Sequence, residues 1–301
     1  MDAPPSPPSC PWCDASLPPS AERVAGLLRC PQCGTLVTVP WPDDAELERA
    51  YGDWYRPESG RFAGPLDALL RRTRARLAAH IDAVAPPGPV LDVGSGEGVL
   101  LDALAAAGRE AVGLERHATR ANVREAEVTE LTGCFAAVVF WHSLEHLRAP
   151  GAAVRHAAGL LAEGGLLIVA VPNADSLQAR IFGERWLALD LPRHLVHLPA
   201  ATLVRGVEAA GLAVARVSHW RGGQALFGML HGLVGLLPGG PDLYDAIRRP
   251  AARRAPLGPG RRAGTLAAAV LLLPAAVVLC GIEIALRRGG SVYLEATLPP
   301  P

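Results

Sequence analysis

Residues 90–98 read Val-Leu-Asp-Val-Gly-Ser-Gly-Glu-Gly, an apolar strand that ends in an acid and runs into three glycines at alternate positions. A strand that delivers its C-terminal end to a glycine turn and then to a helix, here from Val99, brings a ligand against bare backbone. Gly94, Gly96 and Gly98, with Ser95 among them, make that turn. A pyrophosphate prefers G-x-G-x-x-G and a helix N-terminus free of acid. Asp92, just ahead of the turn, repels a diphosphate and attracts a cation. Further on, Ala111-Val-Gly-Leu reads as a second strand, and Glu115 follows it in position to accept hydrogen bonds from a ribose diol. The implied ligand is a positively charged nucleoside.

From these residues onward the chain resembles the class I S-adenosylmethionine-dependent methyltransferases. Phe135 to Pro150 is similar to the family's fourth strand and following loop, with Ala136 where the family commonly has Asp. A helix from Gly151 to Ala162, the pair Gly164-Gly165 and the strand Leu166 to Asn173 follow in the family's order. The resemblance implies an α/β fold built on a doubly wound, Rossmann-like sheet. It also implies S-adenosylmethionine as cofactor, held by Asp92, Gly94, Ser95, Gly96, Gly98, Glu115 and His142. The sheet domain is expected over 89–220 plus 291–298.

Composition narrows the partners. The 301 residues carry a formal net charge of zero, which argues against a nucleic-acid partner. All 29 basic residues are Arg, a codon-bias signature with no mechanism attached. The N-terminal Met-Asp-Ala-Pro-Pro-Ser-Pro-Pro has neither the basic start nor the apolar core of a signal peptide, so the catalytic part is expected in the cytoplasm.

Cys10-Pro-Trp-Cys13 and Cys30-Pro-Gln-Cys33 are two C-x-x-C knuckles at zinc-ribbon spacing. Residues 1–40 are therefore read as a ribbon with structural zinc on Cys10, Cys13, Cys30 and Cys33; a redox dithiol pair or unliganded thiols are the alternatives. A segment so short and rich in Pro has little core of its own, so metal would supply much of its folding free energy. Cys134 and Cys280 are expected to be buried thiols. Residues 41–88 read as a helical cap, with Tyr51, Trp54, Tyr55, Arg61 and Phe62 serving packing or substrate stacking.

Two stretches carry candidate chemistry. His142-Ser-Leu-Glu145-His146 matches the H-x-x-E-H zinc-protease string, but that motif needs a helix and a distal third ligand, whereas here it leaves a strand. Ubiquinone-pathway O-methyltransferases resemble this stretch with E-x-x-E-H, associated with a divalent cation; His142 replaces a hard oxygen ligand and would tilt any such site toward softer metals. The second stretch runs from Trp186 through Asp190, Arg193 and His194 to His197, after the strand expected to end at Asn173. Methyl transfer needs aligned reactants and, for a hydroxyl or amine, proton removal. His194 is the first candidate base and His142 the second, while Trp186, Arg193 and His197 are expected to face the acceptor. Hydrogen-bonded loop histidines and an Arg193 ion pair are the competing readings.

An apolar insertion, 221–290, separates the last two strands, Leu212 to Trp220 and Ser291 to Leu298. It holds apolar Ala225 to Pro238, an Arg-rich linker, and Ala263 to Ile282 without one charge. That length suits a transmembrane helix. A single crossing would separate two strands of one sheet, and Pro274 divides the stretch. A re-entrant or interfacial hairpin at the cytoplasmic face of the inner membrane is therefore expected, with a homodimer interface or a core helix pair as the alternative. The reading is a methyltransferase for a small-molecule or lipid-linked, amphipathic acceptor such as an envelope glycan intermediate or quinone precursor. Soluble secondary metabolism, a non-catalytic scaffold and an NAD oxidoreductase stand behind it.

Overall fold

The computed structural model describes residues 7–52, 65–118, 120–220 and 223–299. Trp54, Tyr55, Arg61 and Phe62 lie outside the described residues. Three short strands, β1 (Arg23–Val24), β2 (Leu27–Arg29) and β3 (Leu36–Val37), form the N-terminal ribbon. Helix α1 (Asp44–Ala50) starts at a capping box in which Asp43 Oδ1 accepts from Glu46 N at 2.7 Å and Glu46 Oε2 accepts from Asp43 N at 2.9 Å. Then come α2 (Pro65–Val84), β4 (Val90–Val93), α3 (Val99–Ala106), β5 (Ala111–Leu114), β6 (Val123–Arg124), β7 (Phe135–Trp141) and α4 (Pro150–Gly159). The chain continues through β8 (Leu161–Pro172), α5 (Leu177–Phe182), β9 (Val196–His197), α6 (Ala200–Ala209) and β10 (Ala213–Ser218). It closes with α7 (Gly223–Gly235), α8 (Leu243–Ile247), α9 (Pro259–Ala285) and β11 (Ser291–Thr297).

The main sheet has the order β10-β11-β8-β7-β4-β5-β6. Strands β4 to β8 are parallel and β11 runs antiparallel to both neighbours. Buried on both faces, β7 reads as a continuous apolar run rather than an alternating one, and β4 is apolar apart from Asp92. Successive residues feed opposite cores: Leu91, Val138 and Val169 pack with Val154 of α4 and Leu203 of α6. Val90, Val139 and Ile168 pack with Ile81 of α2 and Leu104 of α3. Half of the expected cap, α2, is thus part of the sheet's own core. Strand order reverses between β4 and β7, and in such sheets ligands bind beyond the carboxyl ends at that point.

The ribbon is built into the main domain rather than tethered to it. Its sheet, β1-β2-β3, takes β9 as a fourth strand, pairing Leu36 with His197 and Val37 with Val196. Trp12, 5% exposed, wedges between α4 and α6. A Cβ on Gly206 would overlap its indole and one on Gly151 its carbonyl, so both helices need glycine there.

Three expectations are corrected. Strand β8 begins at Leu161, five residues ahead of Leu166, because the Gly164-Gly165 segment is an irregularity within the strand and not a loop before it. Cys134 is exposed, since it precedes β7 beside the turn at Gly133 (φ 136°); Cys280 is buried as expected. Pro274 does not divide the apolar stretch. Helix α9 runs unbroken through it because Pro274 lies on the exposed side, while Ala269, Ala276 and Cys280 on the other side are buried.

Candidate active site and zinc ribbon

Strand β4 carries Asp92 to the switch point, 3% exposed. Burial pushes its carboxyl up to about 7; Arg74 on α2 opposes the rise and Glu115 adds to it. A buried acid held half-neutral in this way gains from a cationic ligand. The glycine turn leaves β4 with φ of 77°, 60° and 77° at Gly94, Gly96 and Gly98, values that favour glycine. Bareness at Gly94 serves the protein itself, because a Cβ there would overlap Ser143 after β7. Glu115, just past β5, accepts from Gly96 N at 2.7 Å and Arg116 N at 3.1 Å, which sets its carboxylate over the turn. Ser95 Oγ and Ser143 Oγ are buried without a hydrogen-bond partner. Two carboxylates, Asp92 and Glu115, and two unsatisfied hydroxyls stand around one turn, a set of groups that fits a cationic nucleoside with a diol. Arg74 also lies over the Trp141 ring, 4.3 Å from its centroid, at the end of β7.

Beyond β7 the chain enters a buried cluster. His142 adopts a left-handed φ of 53°, which is unusual for a non-glycine residue. Its Nδ1 is 3.3 Å from Glu145 Oε1. Glu145 is 2% exposed, and neither of its oxygens has a hydrogen-bond partner. Burial alone would raise its carboxyl, but the adjoining His142, with His194 and His146, outweighs that and holds it at about 2. His146 Nδ1 lies 3.0 Å from the Arg193 carbonyl and 2.9 Å from Tyr51 Oη of the α1 end. Burial lowers His146 to about 4, with His194 adding to the effect.

His194 reaches the same place from the loop between α5 and β9. Its Nδ1 is 2.8 Å from the Ala188 carbonyl. A carbonyl only accepts, so Nδ1 carries a proton, and Nε2 is the ring position from which a proton can be gained or lost. Nε2 stands 3.7 Å from Asp190 Oδ2 and 4.0 Å from Glu145 Oε1, beyond hydrogen-bond range of both. Glu145, His146 and His194 each offer a ligand atom within 4.8 Å of the others, an arrangement able to hold a divalent cation.

Arg193 and His197 are placed differently from Trp186. The Arg193 fork holds Asp190, with Nε donating to Oδ2 at 3.1 Å, and Nη1 donates to Ala50 O at 3.2 Å. An acceptor phosphate could use that fork only by displacing Asp190. His197 is 1% exposed and donates through Nε2 to Leu189 O at 3.0 Å. Trp186 lines two clefts of about 300 and 320 Å³, one against Leu27, Arg29 and Leu36 of the ribbon, the other against His231 and Tyr244 of the insertion. The sequence places Asp190 in this stretch but gives it no role; here it joins Arg193, Arg254 and His194. Its left-handed φ of 35° cannot be read from sequence.

In the ribbon, Cys10 and Cys33 sulfurs are 3.7 Å apart, as are those of Cys13 and Cys30, and all four lie within 4.8 Å of one another. A tetrahedral site with Zn–S of about 2.3 Å has an S···S edge of about 3.8 Å. The two knuckles repeat one geometry: Asp14 N donates to Cys10 O and Gly34 N to Cys30 O, both at 2.9 Å. Four cysteine sulfurs this close fit a zinc site.

Residues 62–217 match the model of a family described as a methyltransferase domain. The fold and the site define a class I S-adenosylmethionine-dependent methyltransferase carrying a zinc ribbon. The chain belongs to that methyltransferase domain family and is an enzyme with S-adenosylmethionine as its cofactor. It is similar to the ubiquinone biosynthesis O-methyltransferase of Bordetella avium, 28% identical over 202 residues that cover 56% of this chain and 83% of the relative. Among solved structures it is similar to the 4+2 cyclase SpnF, at a TM-score of 0.52 and 20% identity, covering 88% of this chain and 99% of that one. A S-adenosylmethionine-dependent methyltransferase of Archaeoglobus fulgidus matches at 0.47 and 16% identity, over 75% of this chain and 94% of its own.

Proposed function

We propose that the enzyme methylates a hydroxyl, or another proton-bearing nucleophile, of a membrane-associated or amphipathic small molecule, such as an envelope glycan intermediate or a quinone precursor, from the cytoplasmic face of the inner membrane. The observation that carries the chemistry is His194, whose Nδ1 is tied to Ala188 O so that Nε2 is the position left to exchange a proton. S-adenosylmethionine supplies a methyl group already activated on a sulfonium. Asp92 and Glu115 hold its cationic and ribose parts, with Gly94, Ser95, Gly96 and Gly98 forming the turn and His142 next to Ser143 closing it. His194 Nε2 takes the acceptor's proton, Asp190 and Glu145 stabilise the imidazolium that results, and His142 is the second candidate for the base. Trp186 lies against the acceptor. Arg193 and His197 keep the loop in shape rather than touching the substrate.

The membrane side of the reading is supported by the apolar insertion, which reaches the cleft beside Trp186 through His231 and Tyr244. The test is transfer of a labelled methyl group into cell extract followed by phase separation. Label in the lipid phase is the expected result; label confined to the aqueous phase points to a soluble acceptor.

A second reading is favoured by the convergence of Glu145, His146 and His194. A cation there would bind the acceptor oxygen directly, and two imidazoles with one carboxylate suit zinc or iron better than magnesium. Metal analysis decides it: more than one equivalent bound per chain after the ribbon is filled supports the cation, and one equivalent rejects it.

A further inference from the structure

Helix α9 shows opposite characters on its two sides. Thr265, Ala269, Ala276, Cys280 and Glu283 are buried, and the helix packs along α7. Away from that seam Val270 and Leu271 are 71% and 80% exposed, and Val277, Val278 and Ile282 are 52%, 62% and 44% exposed. At 3.6 residues per turn these form one continuous apolar face. Arg261 and Arg262 precede it and Arg287 and Arg288 follow it; among the described residues no carboxylate pairs with these four. The helix's one acid, Glu283, is 0% exposed and accepts from Gln178 Nε2 at 2.7 Å.

We infer that this face docks on an anionic lipid bilayer, with α9 lying flat in the headgroup region and its terminal arginines on lipid phosphates. Length and composition alone would let Pro259–Ala285 cross a membrane. The surrounding contacts oppose a crossing. Strands β10 and β11, which flank the insertion, pair with each other, so both ends return to one side. A crossing would also strip Glu283 from Gln178 and α9 from α7. A second copy is a poor cover, because parallel or antiparallel pairing of two such faces sets arginine against arginine. Anionic lipid complements both the apolar centre and the cationic ends. Ala276, on the inner side, shares a core with Trp186, Leu189 and the ribbon's Leu27 and Leu36, so the acceptor loop is braced against the docked helix.

This deepens the reading of a membrane-associated acceptor, yet it is tested without any acceptor. The purified full chain is floated with phosphatidylcholine vesicles and with vesicles that also contain phosphatidylglycerol. Flotation with the anionic vesicles only is expected, weakening in high salt, with each Arg→Gln change at 261, 262, 287 or 288 lowering the partition about fivefold. The triple variant V270D/L271D/V278D is expected to stay soluble and keep cofactor binding while losing flotation. The inference is overturned by no flotation, by equal flotation on neutral vesicles, by resistance to alkaline extraction, or by a stable dimer in light scattering that the triple variant dissociates. Lipid-phase methylation without flotation would sink this inference and leave the proposed function standing; flotation with only aqueous product would do the reverse.

Discussion

Thr38 Oγ1 donates a 2.6 Å hydrogen bond to the carbonyl oxygen of His194, joining the residue after β3 of the zinc ribbon to the candidate base. Thr38 N donates to Leu195 O at 3.0 Å, and Thr202 Oγ1 donates to Cys33 O at 2.6 Å. The ribbon is therefore hydrogen-bonded directly to the loop that carries the candidate base. Removing zinc with a chelator and a thiol reagent is expected to abolish methyl transfer while S-adenosylmethionine affinity changes less than about threefold, because the turn after β4 draws nothing from the ribbon. Thr38→Val leaves a buried carbonyl without its donor, at a cost of about 1 kcal/mol. Its kcat should fall several-fold with cofactor Kd unchanged. Calorimetry and turnover on zinc-free protein check both, and parallel loss of cofactor binding would refute the division.

Asp92 predicts a pH-dependent cofactor affinity. With its carboxyl at about 7 in the free protein, binding a sulfonium favours the ionised form, so a proton is released on binding at lower pH. Affinity should strengthen as pH rises toward about 7, by up to about tenfold per unit, and level off above it. For stability the sign is opposite. The raised value means that the group's contribution is complete below the ordinary Asp range and is lost as pH rises through about 7. Asp92→Asn should bind weakly with a flat profile. A parallel slope in that variant would assign the effect elsewhere.

His194→Gln should lower kcat by about two to four orders of magnitude, the usual worth of a positioned base. Cofactor Kd should stay within about twofold, since His194 belongs to the acceptor loop. If kcat falls less than about threefold while His142→Gln falls further, the two histidines exchange roles.

The strand, acid and glycine turn were legible because the whole device lies within nine neighbouring residues, 90–98, and its geometry is local. The cysteine knuckles were legible for the same reason. Strand β9 was not. Val196 and His197 are too few to show a period of two, and their partners Leu36 and Val37 are distant in sequence, so nothing nearby marks the pairing. The fate of Pro274 likewise depended on which side of α9 the seam with α7 would take. The third ligand atom beside Glu145 and His146 was hidden because His194 comes from another loop, and its tautomer is set by the Ala188 carbonyl.

The anchor of α9 offers a last test. Glu283 accepts from Gln178 N at 3.2 Å and from Gln178 Nε2 at 2.7 Å, and Gln178 Nε2 also donates to Ala225 O at 2.9 Å. Burial raises the Glu283 carboxyl, but both of its oxygens accept, so Glu283→Gln sets an amide NH2 against one of these two donors and should cost about 1–3 kcal/mol. Gln178→Leu strands a buried carboxylate and the Ala225 carbonyl and should cost about 1–3 kcal/mol. In a chain of this size that lowers Tm by about 2–4 °C per kcal/mol. The raised carboxyl also means that its share of stability is complete below the ordinary Glu range and is lost as pH rises past it. Wild type should therefore lose Tm on going from acid to neutral pH relative to Glu283→Gln. Thermal scans of the three proteins across that range decide the matter: equal Tm for Gln178→Leu and wild type would mean that α7 alone holds α9 in place.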